Sequence, residues 1–238
     1  MSGQVERRTH EIHARWLGTT AYGDALETQN TMMAARKSDE ISDTLLLLEH
    51  PHVITFGRRA DDTHLVTTRK ELELLGVEIY ETNRGGEATY HGPGQLVGYP
   101  IIDVRVAELG PVTYVRMLEQ SIIDTLAEFE INAHLVNGET GVWVGGEPNE
   151  KKMPDVNPSG KKIAAIGVRI SGGVTMHGFA LNVATDLSYF QHIIPCGMQD
   201  LPFTSVAIET GSAVTVSDCA TAFARHLAAN LDRELTWP

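Results

Sequence analysis

Cys196 stands between Pro195 and Gly197, in a segment that neither the helical nor the strand period fits. Proline fixes the backbone before it, and glycine leaves space and a free N–H after it. A thiol on such a turn is open to an incoming carbonyl, with a backbone donor close to where an oxyanion would form. A small apolar side chain at a bend would give the same pattern, and the local residues fit both readings equally. Lys162 bears on the choice. It begins an otherwise apolar strand, Ile163-Ala-Ala-Ile-Gly-Val168, so its ammonium is expected to be shielded from water. A nearby thiolate would hold that charge, and the ammonium would raise the thiolate population in return. Cysteine and lysine together suffice for acyl transfer: the thiolate attacks, and the ammonium returns a proton to the leaving group. Spacing alone does not bring the two side chains together. Lys161, pointing the other way on the strand, is expected at the surface.

The second cysteine reads differently. Cys219 falls with Phe223, Leu227 and Leu231 at i, i+4, i+8 and i+12 of the final helix, an apolar stripe that implies a buried, inert thiol.

A second stretch that could do chemistry is Arg84-Gly-Gly-Glu-Ala-Thr-Tyr-His-Gly-Pro-Gly-Gln-Leu-Val-Gly-Tyr-Pro100. Four glycines and a proline between Arg84 and Gly94 read as a segment that no regular helix or strand would keep. Its hydroxyl, phenol, imidazole and guanidinium would stand around a surface made largely of backbone N–H groups. Such a surface grips an elongated head group or an oxyanion. Apolar runs lead in at 77–80 and out at 96–102, so the loop is expected to be held rigidly between buried strands, where function usually sits.

The elements that must position these residues follow from period and punctuation. Strands are expected at 12–17, 44–49, 53–57 and 77–82, the second with four consecutive leucines that imply burial on both faces. Residues 21–36 read as a helix with Tyr22, Leu26, Gln29 and Met33 on one stripe, and the methionines as core filler. His50-Pro51-His52 reads as a turn. Thr68-Arg-Lys-Glu71 fits a capping box opening a short helix that Gly76 closes. Gly110-Pro111 starts a second long helix with Val115, Leu118, Ile122, Leu126 and Phe129 on its inner face. Strands 133–136 and 141–144 follow, then paired strands 162–169 and 174–182, a helical turn 186–190, a tight loop 193–197 and a short helix 206–210. Ser217 is expected to cap the last helix. Residues 145–160 hold three prolines, five charges and almost no apolar side chain, and read as a mobile surface loop. Adjacent strand pairs interspersed with helices argue for α+β, a mixed, largely antiparallel sheet with helices on one face.

Bulk properties narrow the function. The chain has 238 residues, 42% hydrophobic and 21% charged, which suits a globular protein with a sizeable core. No run approaches the ~18 apolar residues of a membrane span, and the first residues lack the apolar segment of a secretory signal. Two cysteines make no disulfide framework, so a cytoplasmic location is expected. A net charge of −12 argues against nucleic acid as a partner. An acidic protein partner would need a local basic patch such as Arg58-Arg59 with Arg84. The ten histidines show no recurring ligand spacing, so no metal is expected.

Taken together, Arg84-Gly-Gly-Glu-Ala-Thr-Tyr-His-Gly-Pro-Gly-Gln95, Lys162-Ile-Ala-Ala-Ile-Gly167, His177-Gly-Phe-Ala-Leu-Asn182 and Pro195-Cys-Gly197 closely resemble the lipoyl(octanoyl) transferase family. The four motifs occur in the family's order, over roughly residues 45–209. The N-terminus, the 146–160 insertion and the C-terminal helix match more loosely. The resemblance implies a single catalytic domain over 1–238 with the α+β fold of lipoate and biotin protein ligases. It implies an enzyme that moves an octanoyl group from acyl carrier protein to the ε-amino group of a lipoyl-domain lysine. The acceptors would be lipoyl domains of 2-oxoacid dehydrogenase complexes and the glycine cleavage H protein. It implies no cofactor, and no nucleic-acid or membrane partner; a monomer is expected. Cys196 matches the nucleophile that carries the acyl group as a thioester, and Lys162 the lysine that activates it. Arg84, Gly85, Gly86, Glu87, Ala88, Thr89, Tyr90 and His91, with Ala165, Ile166 and Gly167, and Gly178, Phe179 and Ala180, match the positions that line the acyl tunnel. His91 and His177 are then loop-shaping or substrate-contacting, not general bases. The alternative on the same fold is an ATP-dependent lipoate ligase, which needs no nucleophilic thiol. Further rivals are an amidotransferase acting between lipoyl proteins and a non-catalytic acyl or lipoyl-domain binding protein.

Overall fold

Successive side chains of a strand point to opposite faces, so an unbroken apolar run needs cover on both. The computed structural model describes residues 11–147, 158–195, 198 and 200–237, and it buries the four leucines in the middle of strand β2 (Asp43–Glu49). Leu45 and Leu47 join one apolar cluster, Leu46 and Leu48 another. Each buried leucine contributes roughly 2 kcal/mol.

The remaining strands are β1 (Glu11–Thr19), β3 (Val53–Phe56), β4 (Glu78–Glu81), β5 (Ala88–His91), β6 (Gln95–Ile101), β7 (Ala133–His134), β8 (Val142–Val144), β9 (Lys161–Ser171), β10 (Val174–Asn182) and β11 (Glu234–Thr236). Eight of them form one sheet in the order β11-β1-β2-β6-β10-β9-β8-β7. The β11-β1 and β1-β2 pairs are parallel and the rest antiparallel, which gives the mixed sheet expected. β9 and β10 form a hairpin closed by Gly172 and Gly173, whose φ of 58° and 84° suit a turn that glycine alone enters freely. A second sheet, order β4-β3-β5, was not anticipated. The bend at Pro51 turns β3 out of the plane of β2, and β3 then pairs with β4 and β5 instead.

The helices are α1 (Tyr22–Lys37), α2 (Arg69–Leu74), α3 (Pro111–Ala127), α4 (Val206–Thr210) and α5 (Val216–Asn230). Tyr114, Leu118, Ile122 and Leu126 of α3 and Cys219, Phe223 and Leu227 of α5 share the cluster of Leu45 and Leu47. Ala25 of α1 lies in the cluster of Leu46 and Leu48, with Met32 packed against it. Helices therefore flank both faces of the sheet, where one face was expected. The buried stripe of α1 is Tyr22, Ala25, Gln29 and Arg36, while Leu26 and Met33 are half-buried. Two polar residues displace apolar ones because each has a buried partner. Gln29 Oε1 accepts from the His177 N–H at 2.9 Å. Arg36 donates to Asp43 at 2.8 Å and to Asp39 at 2.6 Å.

Local signals fixed most boundaries. The Thr68–Glu71 capping box is present, with the Thr68 N–H donating to Glu71 Oε2 at 3.0 Å. α5 is capped by Thr215 instead of Ser217, because Asp218 three residues later bonds back to the Thr215 N–H at 3.1 Å. Most of the expected mobile loop, residues 148–157, lies outside the described residues.

Candidate active site

Strand β9 opens on Lys162 and continues through Ala165, Ile166 and Gly167; β10 runs beside it through Gly178, Phe179 and Ala180. The antiparallel register sets Gly178 opposite Gly167 and Ala180 opposite Ala165. Small side chains facing one another leave a trough in the sheet. A cavity of about 540 Å³ occupies it. Its walls include every one of those residues, with Arg84, Gly85, Gly86, Glu87, Ala88, Thr89 and His91.

Glycine is required where the loop before β5 meets the sheet. A Cβ on Gly167 would lie 2.9 Å from the Gly85 carbonyl oxygen, and one on Gly57 would lie 2.4 Å from that of Gly86. The Gly85 N–H donates to the Val168 carbonyl at 3.0 Å, stitching the loop to β9. The stretch is less irregular than its glycines imply, since Ala88–His91 is strand β5, paired with β3. Its glycines lie on either side of Ala-Thr-Tyr-His, which has ordinary strand character.

Arg84 is 7% exposed, and its guanidinium builds the loop. It donates to the carbonyls of Gly85 at 3.0 Å and Glu87 at 2.7 Å and to the Thr55 hydroxyl at 2.9 Å. Tyr90, predicted to contact substrate, turns away from the cavity. Strand alternation sends it to the opposite face from Thr89 and His91. There its hydroxyl bonds His52 Nδ1 at 2.7 Å, and its ring stacks on Tyr189 at 5.0 Å.

Three histidines sit at or behind the cavity wall, and burial holds all three neutral. His50 Nδ1 faces the Thr20 carbonyl at 2.6 Å and so carries the proton; its Nε2 accepts from the Tyr99 hydroxyl at 2.7 Å. Gln95 Nε2 donates to Asn182 Oδ1 at 3.0 Å, which turns Oε1 toward His91 Nδ1 at 2.8 Å as an acceptor. His177 donates from Nε2 to Asn83 Oδ1 at 2.8 Å. Desolvation, aided at His91 and His177 by the Arg84 charge, pushes these imidazoles down, His50 to about 4 and His91 and His177 to about 3. Imidazoles so weakly basic are poorly matched to general-base work near neutral pH. His177 also holds a φ of +57° in mid-strand, a conformation its backbone bond to Gln29 helps maintain.

Lys162 is 2% exposed. Its N–H donates to the Pro202 carbonyl at 2.8 Å and its carbonyl accepts from the Thr204 N–H at 3.0 Å. Residues 202–204, just beyond the expected 193–197 loop, therefore run alongside this lysine. Cys196 and Gly197 themselves lie outside the described residues. Before them, the Ile194 N–H donates to the His64 carbonyl at 2.8 Å; after them, the Met198 N–H donates to the Pro195 carbonyl at 3.0 Å. Cys219 is buried, as its stripe implied, and burial with the Asp218 charge pushes its thiol up to about 12.

Sequence reasoning did not anticipate Tyr99, Val115 and the Gly138-Glu139-Thr140 turn as parts of the wall. Tyr22 was read only as a helix-stripe residue, yet it too faces the cavity. A polar ring recurring in otherwise apolar elements was the available signal for Tyr22 and Tyr99.

The sequence profile of the lipoyl protein ligase A/B catalytic domain matches residues 21–228. An octanoyltransferase of Solibacter usitatus is 48% identical, covering 93% of each chain. This chain belongs to the lipoyl protein ligase A/B family, among its octanoyltransferases. An octanoyltransferase of Mycobacterium tuberculosis is 43% identical, over 98% of this chain and 92% of its own length. Among solved structures, a lipoate-protein ligase A bound with ATP superimposes with a TM-score of 0.73 at 16% identity, over 96% of this chain and 88% of that one. That likeness bears on the fold alone, which is of the lipoate and biotin ligase type. Among the described residues no helix is long and apolar enough to cross a membrane, and no group of three His, Cys, Asp or Glu could hold a metal ion.

Proposed function

We propose that this protein transfers the octanoyl group of octanoyl-acyl carrier protein to the ε-amino group of a lipoyl-domain lysine, through a thioester on Cys196. The observation that carries the reading is Lys162: a lysine 2% exposed, in the wall of a trough of small residues, in a chain that shares its family with octanoyltransferases.

In the first half-reaction the Cys196 thiolate attacks the donor's thioester carbonyl, the bond to the carrier's sulfur breaks, and the Lys162 ammonium gives that sulfur its proton. In the second, the acceptor amine attacks the Cys196 thioester, the new amide bond forms, and the Cys196–acyl bond breaks. Lys162, now a neutral amine, takes the proton the acceptor nitrogen loses, which restores the starting pair. The donor is already activated, so no nucleotide takes part. Ala165, Ile166 and Gly167, with Gly178, Phe179 and Ala180 beside them, form the floor under the acyl chain, and Arg84 to Glu87 with Ala88, Thr89 and His91 cover it. Tyr90 supports this cover from behind. The chain works as one catalytic domain, in the cytoplasm where its donor is made, and its acceptors are the lipoyl domains of 2-oxoacid dehydrogenase complexes and the glycine cleavage H protein.

The test is transfer to a lipoyl domain under two supplies of acyl group. Octanoyl-acyl carrier protein without ATP should modify the acceptor, and Cys196→Ser should not. Modification that appears only with free octanoate and ATP would identify a ligase instead.

A further inference from the structure

Trp143 has no part in the chemistry above, yet it lies against the residue at its centre. β8 and β9 are antiparallel, and Trp143 sits directly opposite Lys162, so their side chains share one face of the sheet. A register shift between Val142 and Trp143 re-aims the strand at this point. The result is a lysine Nζ 4.7 Å above the centroid of the indole, inside the ~6 Å range of a cation–π contact. Trp143 is fully buried and Lys162 nearly so. The indole Nε1 makes no hydrogen bond among the described residues, so the N–H does not explain why a tryptophan is buried here. What the ring offers is its face.

A glycine also borders the lysine. A Cβ on Gly141 would lie 2.8 Å from Lys162 Cε and 2.5 Å from the Ala164 carbonyl, so the lysine stem runs across bare backbone. The Gly141 N–H is held at 2.9 Å by Oε1 of Glu119, a fully buried carboxylate whose Oε2 accepts from Arg116 at 2.7 Å. The indole and the strapped glycine thus both lie against the lysine side chain.

We infer that Trp143 is a positioning residue for the transfer, its π face holding the Lys162 ammonium in place where water is excluded. An ammonium taken out of water loses hydration, and the negative face of the indole quadrupole replaces part of it. The inference rests on the role given to Lys162 above.

The experiment keeps the ring's shape and drains its face. Tryptophans carrying one, two and three ring fluorines are placed at position 143 of the full chain, and carbamoylation of Lys162 by cyanate is followed at fixed pH 8 by peptide mass. Cyanate reacts with the neutral amine, so a weaker hold on the ammonium speeds the reaction. Glu139, which lines the cavity with Lys162, and Glu119, which holds the Gly141 N–H, are unchanged through the series, so the trend reports the ring. The rate should rise with each fluorine, about fivefold across the series, while exposed Lys70 reacts at a constant rate. The kcat for octanoyl transfer should fall in step with KM for the donor unchanged. A flat Lys162 rate, or a kcat that ignores fluorination, overturns the inference. Full transfer by Lys162→Ala, measured separately, would remove the transferase role of Lys162 and the inference with it; the cyanate series would still report whether ring and ammonium pair.

Discussion

Lowering the pH from 8 to 5.5 should remove a large part of this protein's stability, and three buried histidines set the amount. His50, His91 and His177 are 0%, 7% and 1% exposed. Burial moves their folded-state values from 6.5 down to about 4, 3 and 3. Between those values and 6.5 the unfolded chain binds protons that the folded chain refuses. Their stability is therefore fully present above pH 6.5 and is lost as pH falls through 6.5 toward 4 and 3. At pH 5.5 each histidine costs on the order of 1 kcal/mol, and the three together several kcal/mol, against a typical total of about 5–15 kcal/mol. The carboxylates held low by their partners, such as Asp103 and Glu128, lose their contribution only below their ordinary range, outside this window. Urea unfolding followed by tryptophan fluorescence at pH 8, 6.5 and 5.5 reads the effect. His50→Gln, which can keep a donor to Thr20 and an acceptor for Tyr99, should lower the pH 8 to 5.5 difference by on the order of 1 kcal/mol. A wild-type difference under about 1 kcal/mol would refute the reasoning: the imidazoles would then be hydrated or already charged in the folded state.

Other outcomes are expected at specific residues. Native protein at pH 8 should be alkylated on Cys196 and not on Cys219, whose thiol is pushed up to about 12; labelling of both in the folded state would contradict this. Gly141→Ala should lower transfer at least about tenfold, a barrier change of about 1.4 kcal/mol or more, because its Cβ would meet Lys162 Cε at 2.8 Å at a φ of +124°. Gly145→Ala, also at positive φ but with nothing within 4 Å, should strain the backbone yet spare activity. Asp43→Asn should cost about 3 kcal/mol in urea unfolding by removing the buried carboxylate that pairs with Arg36 at 2.8 Å, leaving the guanidinium only exposed Asp39 and the more distant Asp103. A loss under about 1 kcal/mol would show that Asp39 and Asp103 together hold the guanidinium.

Much of the fold is written locally. The doubly buried leucine strand, the Thr68–Glu71 box, the proline at the start of α3 and the bounds of α4 each follow from neighbouring residues. The site residues on β9 and β10 were legible because small residues punctuate two apolar strands. What escaped depends on partners distant in sequence. Gln29 is buried because His177, far along the chain, supplies an N–H. The second sheet depends on β3 pairing with β4 and β5 after the bend at residues 51–52, which no period reveals. Tyr90 was grouped with His91 because a glycine-rich stretch hides the alternation of the strand inside it. The pairing of Trp143 with Lys162 depends on a register shift between β8 and β9, and strand sequences alone do not fix register.

The central claim is a covalent acyl-enzyme on Cys196. Intact-mass spectrometry after mixing the protein with octanoyl-acyl carrier protein, in the absence of ATP, tests it directly. The account predicts a gain of one octanoyl group, reversed by hydroxylamine and missing in Cys196→Ser. An unmodified protein under those conditions, or an adduct that survives in Cys196→Ser, would contradict it.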